Sequence, residues 1–135
     1  MMLAEDQARY PGAVAFRFGD SDAMNAELIA LVVAGKKRAT CGPLRDFGEG
    51  GAAKPVVGRR DIITNWDGTP AVVIETVDVS YCSFAEIGEN FALAEGENDD
   101  LAGWRRDHAA YFERNGGYSP DMALICERFE VVEIL

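Results

Sequence analysis

An Asp67-Gly68 pair between two apolar, β-branched runs constrains this chain more than any other feature. Asp-Gly between two such runs is a strong hairpin-turn signal, because glycine supplies the positive φ that these turns need. Asp61–Trp66 is therefore read as one strand. Ala71–Val79, with Val72, Val73, Ile74, Thr76, Val77 and Val79, is read as its antiparallel return. A closing strand is expected over Leu124–Val132, and Ala15–Gly19 reads as a short extended lead-in. Helices fall on either side of the hairpin. Asp20-Ser21-Asp22 supplies N-cap chemistry, Met24, Leu28, Leu31 and Val32 recur at helical spacing, and Gly35 follows as a C′ residue. Ser83 is placed to cap a short helix through Ile87, and Glu89–Glu95 forms another. Asp99-Asp100 opens a longer helix with Leu101, Trp104, His108 and Tyr111 or Phe112 on one side, which Gly116-Gly117 stops. The reading is α+β: a small, barrel-like, mostly antiparallel sheet with flanking helices, in a single domain over residues 1–135.

Composition narrows the setting. No apolar run approaches the ~18 residues of a membrane span. The start, Met1-Met2-Leu3-Ala4-Glu5-Asp6, has early acids and no basic segment, unlike a signal peptide. Cys41, Cys82 and Cys126 are odd in number and widely spaced, which suits free thiols in a reducing, cytoplasmic compartment. One histidine and three scattered cysteines argue against a structural zinc site, and nothing in the sequence requires a metal or cofactor.

Charge is unevenly distributed. The chain carries −10, yet residues 36–60 hold seven of its thirteen basic side chains (Lys36, Lys37, Arg38, Arg45, Lys54, Arg59 and Arg60) against Asp46 and Glu49. That segment is +5 and the remainder −15. The overall field opposes long duplex nucleic acid, whereas a local cationic site suits a small anionic or nucleotide-like ligand. The glycines and prolines of residues 42–58 make a long loop without the spacing of a P-loop. Such a loop is either a wall or lid over a ligand or a plain surface excursion.

Gly35-x-Lys37-x-x-Thr40 after an amphipathic helix resembles the GxKxxT signature of ASCH domains, relatives of the PUA RNA-binding barrel. The likeness extends to Phe18-Gly19-Asp20-Ser21, Trp66-Asp67-Gly68-x-Pro70, Phe91-Ala92-x-Ala94-Glu95-Gly96-Glu97, Trp104-Arg105-x-x-His108-x-x-Tyr111-Phe112 and Cys126-Glu127-Arg128-Phe129. Together these landmarks cover roughly residues 16–132. The resemblance implies a PUA-like barrel with a cleft at its mouth, rimmed by the signature, and an RNA-related role. One branch resembles amidohydrolases that deacylate N4-acetylcytidine, and for it the likeness implies a site of Lys37, Thr40 and Glu95. This chain departs from the family at Gly58, where Arg59-Arg60 stands in place of an immediate acid, and it is longer than the minimal acetylcytidine-type amidohydrolases, with its own helix around Trp104–Phe112.

The trio has a coherent chemistry. Amide hydrolysis needs a nucleophile, a proton acceptor that later donates to the leaving amine, and charge stabilisation. Thr40 offers the hydroxyl. Lys37 is the base if burial and the neighbouring Lys36 and Arg38 lower its pKa, and Glu95 is a proton shuttle. Residues three apart on a strand face opposite ways, so Lys37 and Thr40 converge only if the chain bends after Gly35. Arg38, Arg45, Trp66, Glu75, Trp104 and His108 are candidate ligand contacts. The tryptophans would stack on a base, and His108 is either a base near neutral pH or a half-buried helix residue. The run Glu95–Asp100 is read as helix capping and solvation rather than a cation loop. The favoured reading is a nucleoside, nucleotide or short RNA bound at the signature, with hydrolysis of an N-acyl amide. Its alternatives are a non-catalytic RNA-binding or nucleotide-sensing module and a ribonuclease.

Overall fold

A computed structural model describes residues 3–135. Five strands form one sheet: β1 (Ala15–Arg17), β2 (Ala39–Pro43), β3 (Arg60–Thr64), β4 (Pro70–Ser83) and β5 (Ala123–Ile134). Their order is β1-β3-β4-β5-β2. Among these strands the short β1–β3 pair is parallel and the other pairs are antiparallel, and the expected hairpin joins β3 to β4. β4 and β5 are long, and each shift in their register falls where a strand must bend, between Val73 and Ile74 and between Thr76 and Asp78. Curled in this way, the α+β sheet has the PUA-like form. Its outer strands β1 and β2 are not hydrogen-bonded to each other, so the barrel is open along one seam.

Four helices surround the sheet: α1 (Leu3–Arg9), α2 (Asp22–Val33), α3 (Glu89–Ala94) and α4 (Leu101–Arg114). Ser21 caps α2 through the Met24 amide, and Asp100 caps α4 through the Gly103 amide. Ser83 and Glu86 form a capping box, but on a single 3-10 turn, Phe84–Glu86, rather than an α-helix. The sequence did not foreshadow α1. At its end, Arg9 and the following Tyr10 both bond the Glu133 carboxylate near the end of β5.

Two apolar clusters form the core. Leu28 and Val32 of α2 pack with Phe18, Ile63, Val72, Ile74 and Phe129, while Trp104 and Phe112 of α4 pack with Phe84, Ile87, Ala92, Leu124 and Cys126. The sheet thus has one helix system at each end, and the open seam lies between them. Within residues 42–58, β2 continues to Pro43 and a 3-10 turn follows at Leu44–Asp46, so the loop is shorter than read from the sequence. Among the described residues no helix is long and apolar enough to cross a membrane.

Candidate functional site

The end of α2 sets the position of Lys37. Gly35 takes φ 84°, and the amides of Lys36 and Gly35 bond the carbonyls of Leu31 and Val32, closing a Schellman motif. The next residues turn inward. The Arg38 amide donates to the Ala94 carbonyl at the end of α3, and the Arg38 carbonyl accepts from the Phe129 amide of β5. Lys37 is thereby pushed between α3 and the sheet, where it is 1% exposed. The chain bends after Gly35, and the partners of Lys37 Nζ are then Ala39, Glu95 and Glu97 rather than Thr40.

A lysine so buried must have its charge met. Its Nζ donates to Glu97 Oε2 at 2.9 Å, Ala39 O at 2.8 Å and Glu95 Oε1 at 3.1 Å, with the Glu95 carbonyl at 3.4 Å. Burial alone would lower the lysine pKa, but the two carboxylates outweigh it and hold it above its ordinary value. The expectation that Lys36 and Arg38 prime Lys37 as a base is therefore corrected. Lys36 is exposed, and the Arg38 guanidinium is directed away, onto the carbonyls of Val32 and Lys37.

Glu95 is the hub. Besides Lys37, its carboxylate receives Trp104 Nε1–H at 2.7 Å and the Cys41 thiol at 3.4 Å, and it lies 3.4 Å from His108 Nε2. Burial pushes its pKa up, but Lys37, His108 and Trp104 bring it down to about 2. The His108 ring stacks on Trp104 at 4.2 Å, and its Nδ1 donates to the Trp104 carbonyl at 2.9 Å. Both ring nitrogens thus face acceptors. Burial works against the cation, yet Glu95 prevails and the His108 pKa is raised. The Cys41 thiol is pushed well up by burial and then by Glu95.

These groups form one wall of a cleft of about 870 Å³. The cleft occupies the seam of the sheet: Val14–Gly19 line one side and Thr40–Pro43 the other, with Phe47, Ala52, Ala53 and Pro55 as a further wall. On its floor the Glu127 carboxylate, across from Thr40 in the β2–β5 register, accepts the Thr76 hydroxyl at 2.8 Å. Burial first, then Asp61, raises the Glu127 pKa. The cleft is acidic. Glu27, Asp46, Asp61, Glu95, Glu97, Asp107 and Glu127 face Arg17, Lys37, Arg59, Arg114 and the titratable His108.

The predicted residues are sorted accordingly. Lys37, Glu95 and His108 come together, a convergence that no sequence spacing announced. Thr40 lines the same cleft. Its neighbour Cys41 faces Glu95, so the alternation of β2 turns Thr40 toward Glu127, and among the described residues its hydroxyl has no hydrogen bond to Lys37 or Glu95. Trp104 is wholly buried and offers no face to a ligand; it acts through its N–H on Glu95. Trp104 and four further candidates lie outside the cleft lining. Arg38 caps α2, Arg45 donates to the Gly117 carbonyl, Trp66 lies under Arg17 with 4.0 Å from guanidinium carbon to ring centroid, and Glu75 pairs with Arg60. The basic run of the sequence is therefore not a basic patch. Sequence reasoning also missed Glu97, read there as solvation. It is the partly exposed carboxylate on Lys37, and its alternation with Glu95 around Gly96 was the available signal.

Comparison with known proteins gives a consistent frame. The ASCH domain family model matches residues 14–133. The crystal structure of an ASCH domain from Lactobacillus crispatus JV V101 superposes with a TM-score of 0.81 at 33% identity, covering 94% of this chain and 84% of its own. A protein of Enterococcus faecalis V583 assigned to DUF984 gives 0.80 at 35% identity, covering 90% and 77%. A hypothetical protein at 16% identity and TM-score 0.54, with 78% and 92% covered, shares the fold alone. No curated protein matches.

Proposed function

Because the chain belongs to the ASCH domain family, which is linked to RNA binding, we propose that its cleft takes a nucleoside or a base-bearing RNA end rather than a phosphate-rich stretch. The observation that carries this reading is the charge of the lining, where seven carboxylates outnumber four permanent cations. Such a wall repels phosphate, while its acceptors suit the amino and ring N–H donors of a base. The aromatic faces of Phe16, Phe47 and Tyr111 on the lining provide a place for the ring to stack.

The proposed reaction is hydrolysis of an N-acyl amide on that base. Thr40 supplies the nucleophilic oxygen, which attacks the acyl carbon, and its proton passes to a cleft carboxylate. The carbon–nitrogen bond then breaks as the base nitrogen takes that proton, and water releases the acyl group from Thr40. Glu127, across from Thr40 and with a raised pKa, is suited to receive the first proton. Lys37 serves as a fixed positive charge and Glu97 as the accessible carboxylate it holds. Purified protein incubated with N4-acetylcytidine should release cytidine and acetate, and Thr40→Val should stop the release. Turnover unaffected by Thr40→Val would refute the mechanism. Tighter binding of cytidine monophosphate than of cytidine would refute the charge argument.

A further inference from the structure

The fold brings the chain's single histidine to one of its three cysteines, beside the buried carboxylate. Cys41, Glu95 and His108 each offer one ligand atom, and the three atoms lie within 4.8 Å of one another. We propose that they form a binding site for a zinc-like divalent ion, with Cys41 Sγ, Glu95 Oε2 and His108 Nε2 as ligands and a fourth position open to the cleft.

Three observations support it. First, Glu95 Oε2 is 3.4 Å from Cys41 Sγ and 3.4 Å from His108 Nε2. A tetrahedral site with bonds of ~2.0–2.3 Å has ligand atoms roughly 3.3–3.8 Å apart, so those two edges are already set. Second, the outer contacts are those that orient metal ligands. His108 Nδ1 is tied to the Trp104 carbonyl, which aims Nε2 at Glu95, and Trp104 Nε1–H occupies one lone pair of Oε2 while leaving the other. Third, all three ligands line the cleft, so an ion has a way in and an exposed position for water or a ligand atom.

Lys37 is the obvious objection. It bonds the other oxygen of Glu95, Oε1, and is shared with Glu97 and the Ala39 carbonyl. With the thiol proton released to solvent on coordination, three anions (Cys41, Glu95 and Glu97) meet Lys37 and one dication, and the charges cancel. One thiolate, one imidazole and one carboxylate favour zinc or cobalt over magnesium or calcium. The single-histidine argument from sequence counts against a structural zinc site. It does not address a three-ligand site open to a cleft.

Cobalt(II) alone, titrated into the purified protein, tests the site without any nucleoside, so its result is independent of the reaction proposed above. One equivalent should produce a thiolate-to-cobalt charge-transfer band and the intense visible bands of a tetrahedral ion, both removed by added zinc. Cys41→Ser should abolish the charge-transfer band and Cys82→Ser should keep it. Trp104→Phe should weaken binding about tenfold or more. X-ray absorption on the zinc-loaded wild-type protein needs no variant, and one sulfur scatterer among nitrogen and oxygen is expected. A shell of nitrogen and oxygen only, a weak octahedral cobalt spectrum, or a band that survives in Cys41→Ser would overturn the proposal.

Discussion

Trp104 Nε1 donates to Glu95 Oε2 at 2.7 Å from a side chain fully enclosed by the core. The largest ring of the α4 cluster is thus also the group that fixes the acid of the cleft, and packing and chemistry meet at one hydrogen bond. Trp104→Phe keeps most of the ring and removes the donor. It should cost about 1–3 kcal/mol, since a buried carboxylate oxygen loses a partner. Urea unfolding measures this, and a cost near zero would mean that the bond contributes nothing to Glu95.

Lys37 and Glu95 are a buried ion pair, so removing one partner should be far worse than removing both. Lys37→Met is expected to lose about 3–5 kcal/mol, and adding Glu95→Gln should restore part of it. A double-mutant cycle with no coupling would contradict the pairing.

Gly96 lies between the two carboxylates that hold Lys37. It takes φ 75°, and a Cβ there would sit 2.4 Å from the Lys36 carbonyl oxygen. Gly96→Ala should destabilise by about 1–3 kcal/mol from the backbone alone. It should also misplace Glu97, so any cleft activity falls with it. A variant as stable and active as the parent would show that the segment can shift freely.

The pH profile should carry the mark of His108. Its folded pKa is raised above the ordinary 6.5, so its contribution is fully present below that value and is lost as pH rises through the folded pKa. Glu95 works in the opposite direction: its contribution is present above the ordinary 4.5 and is lost as pH falls toward about 2. Unfolding free energies across the alkaline side should decline more in the parent than in His108→Gln. Parallel curves would remove His108 from the account.

Glu127 should be a stability cost at neutral pH. Burial raises its pKa, so the folded state disfavours the ionised form, and that penalty fades as pH drops from the raised folded pKa to the ordinary 4.5. Glu127→Gln, which can still accept from Thr76, should melt higher at pH 8 and lose this advantage in acid. If it also ends deacylation, stability and chemistry oppose each other at this position.

The parts of the fold legible in the sequence are those set by local chemistry. Ser21, Gly35 and the Asp67-Gly68 turn are each dictated by backbone conformation, and each falls where the sequence placed it. The basic run misled because nearness in sequence does not survive a bend and a ladder. Lys37 goes inward, Arg38 turns back to α2, Arg59 pairs with Asp61 and Arg60 with Glu75. His108 was read as one residue of a helical stripe, and its approach to Glu95 depends on how α4 docks on the sheet. Glu97 was hidden among acids that equally well cap a helix.

The seam between β1 and β2 has a mechanical consequence. No ladder of backbone hydrogen bonds crosses it, so widening the gap would break side-chain contacts only and leave every strand pair intact. A bulkier guest that spread the jaws would therefore leave the strand ladders of the described residues whole.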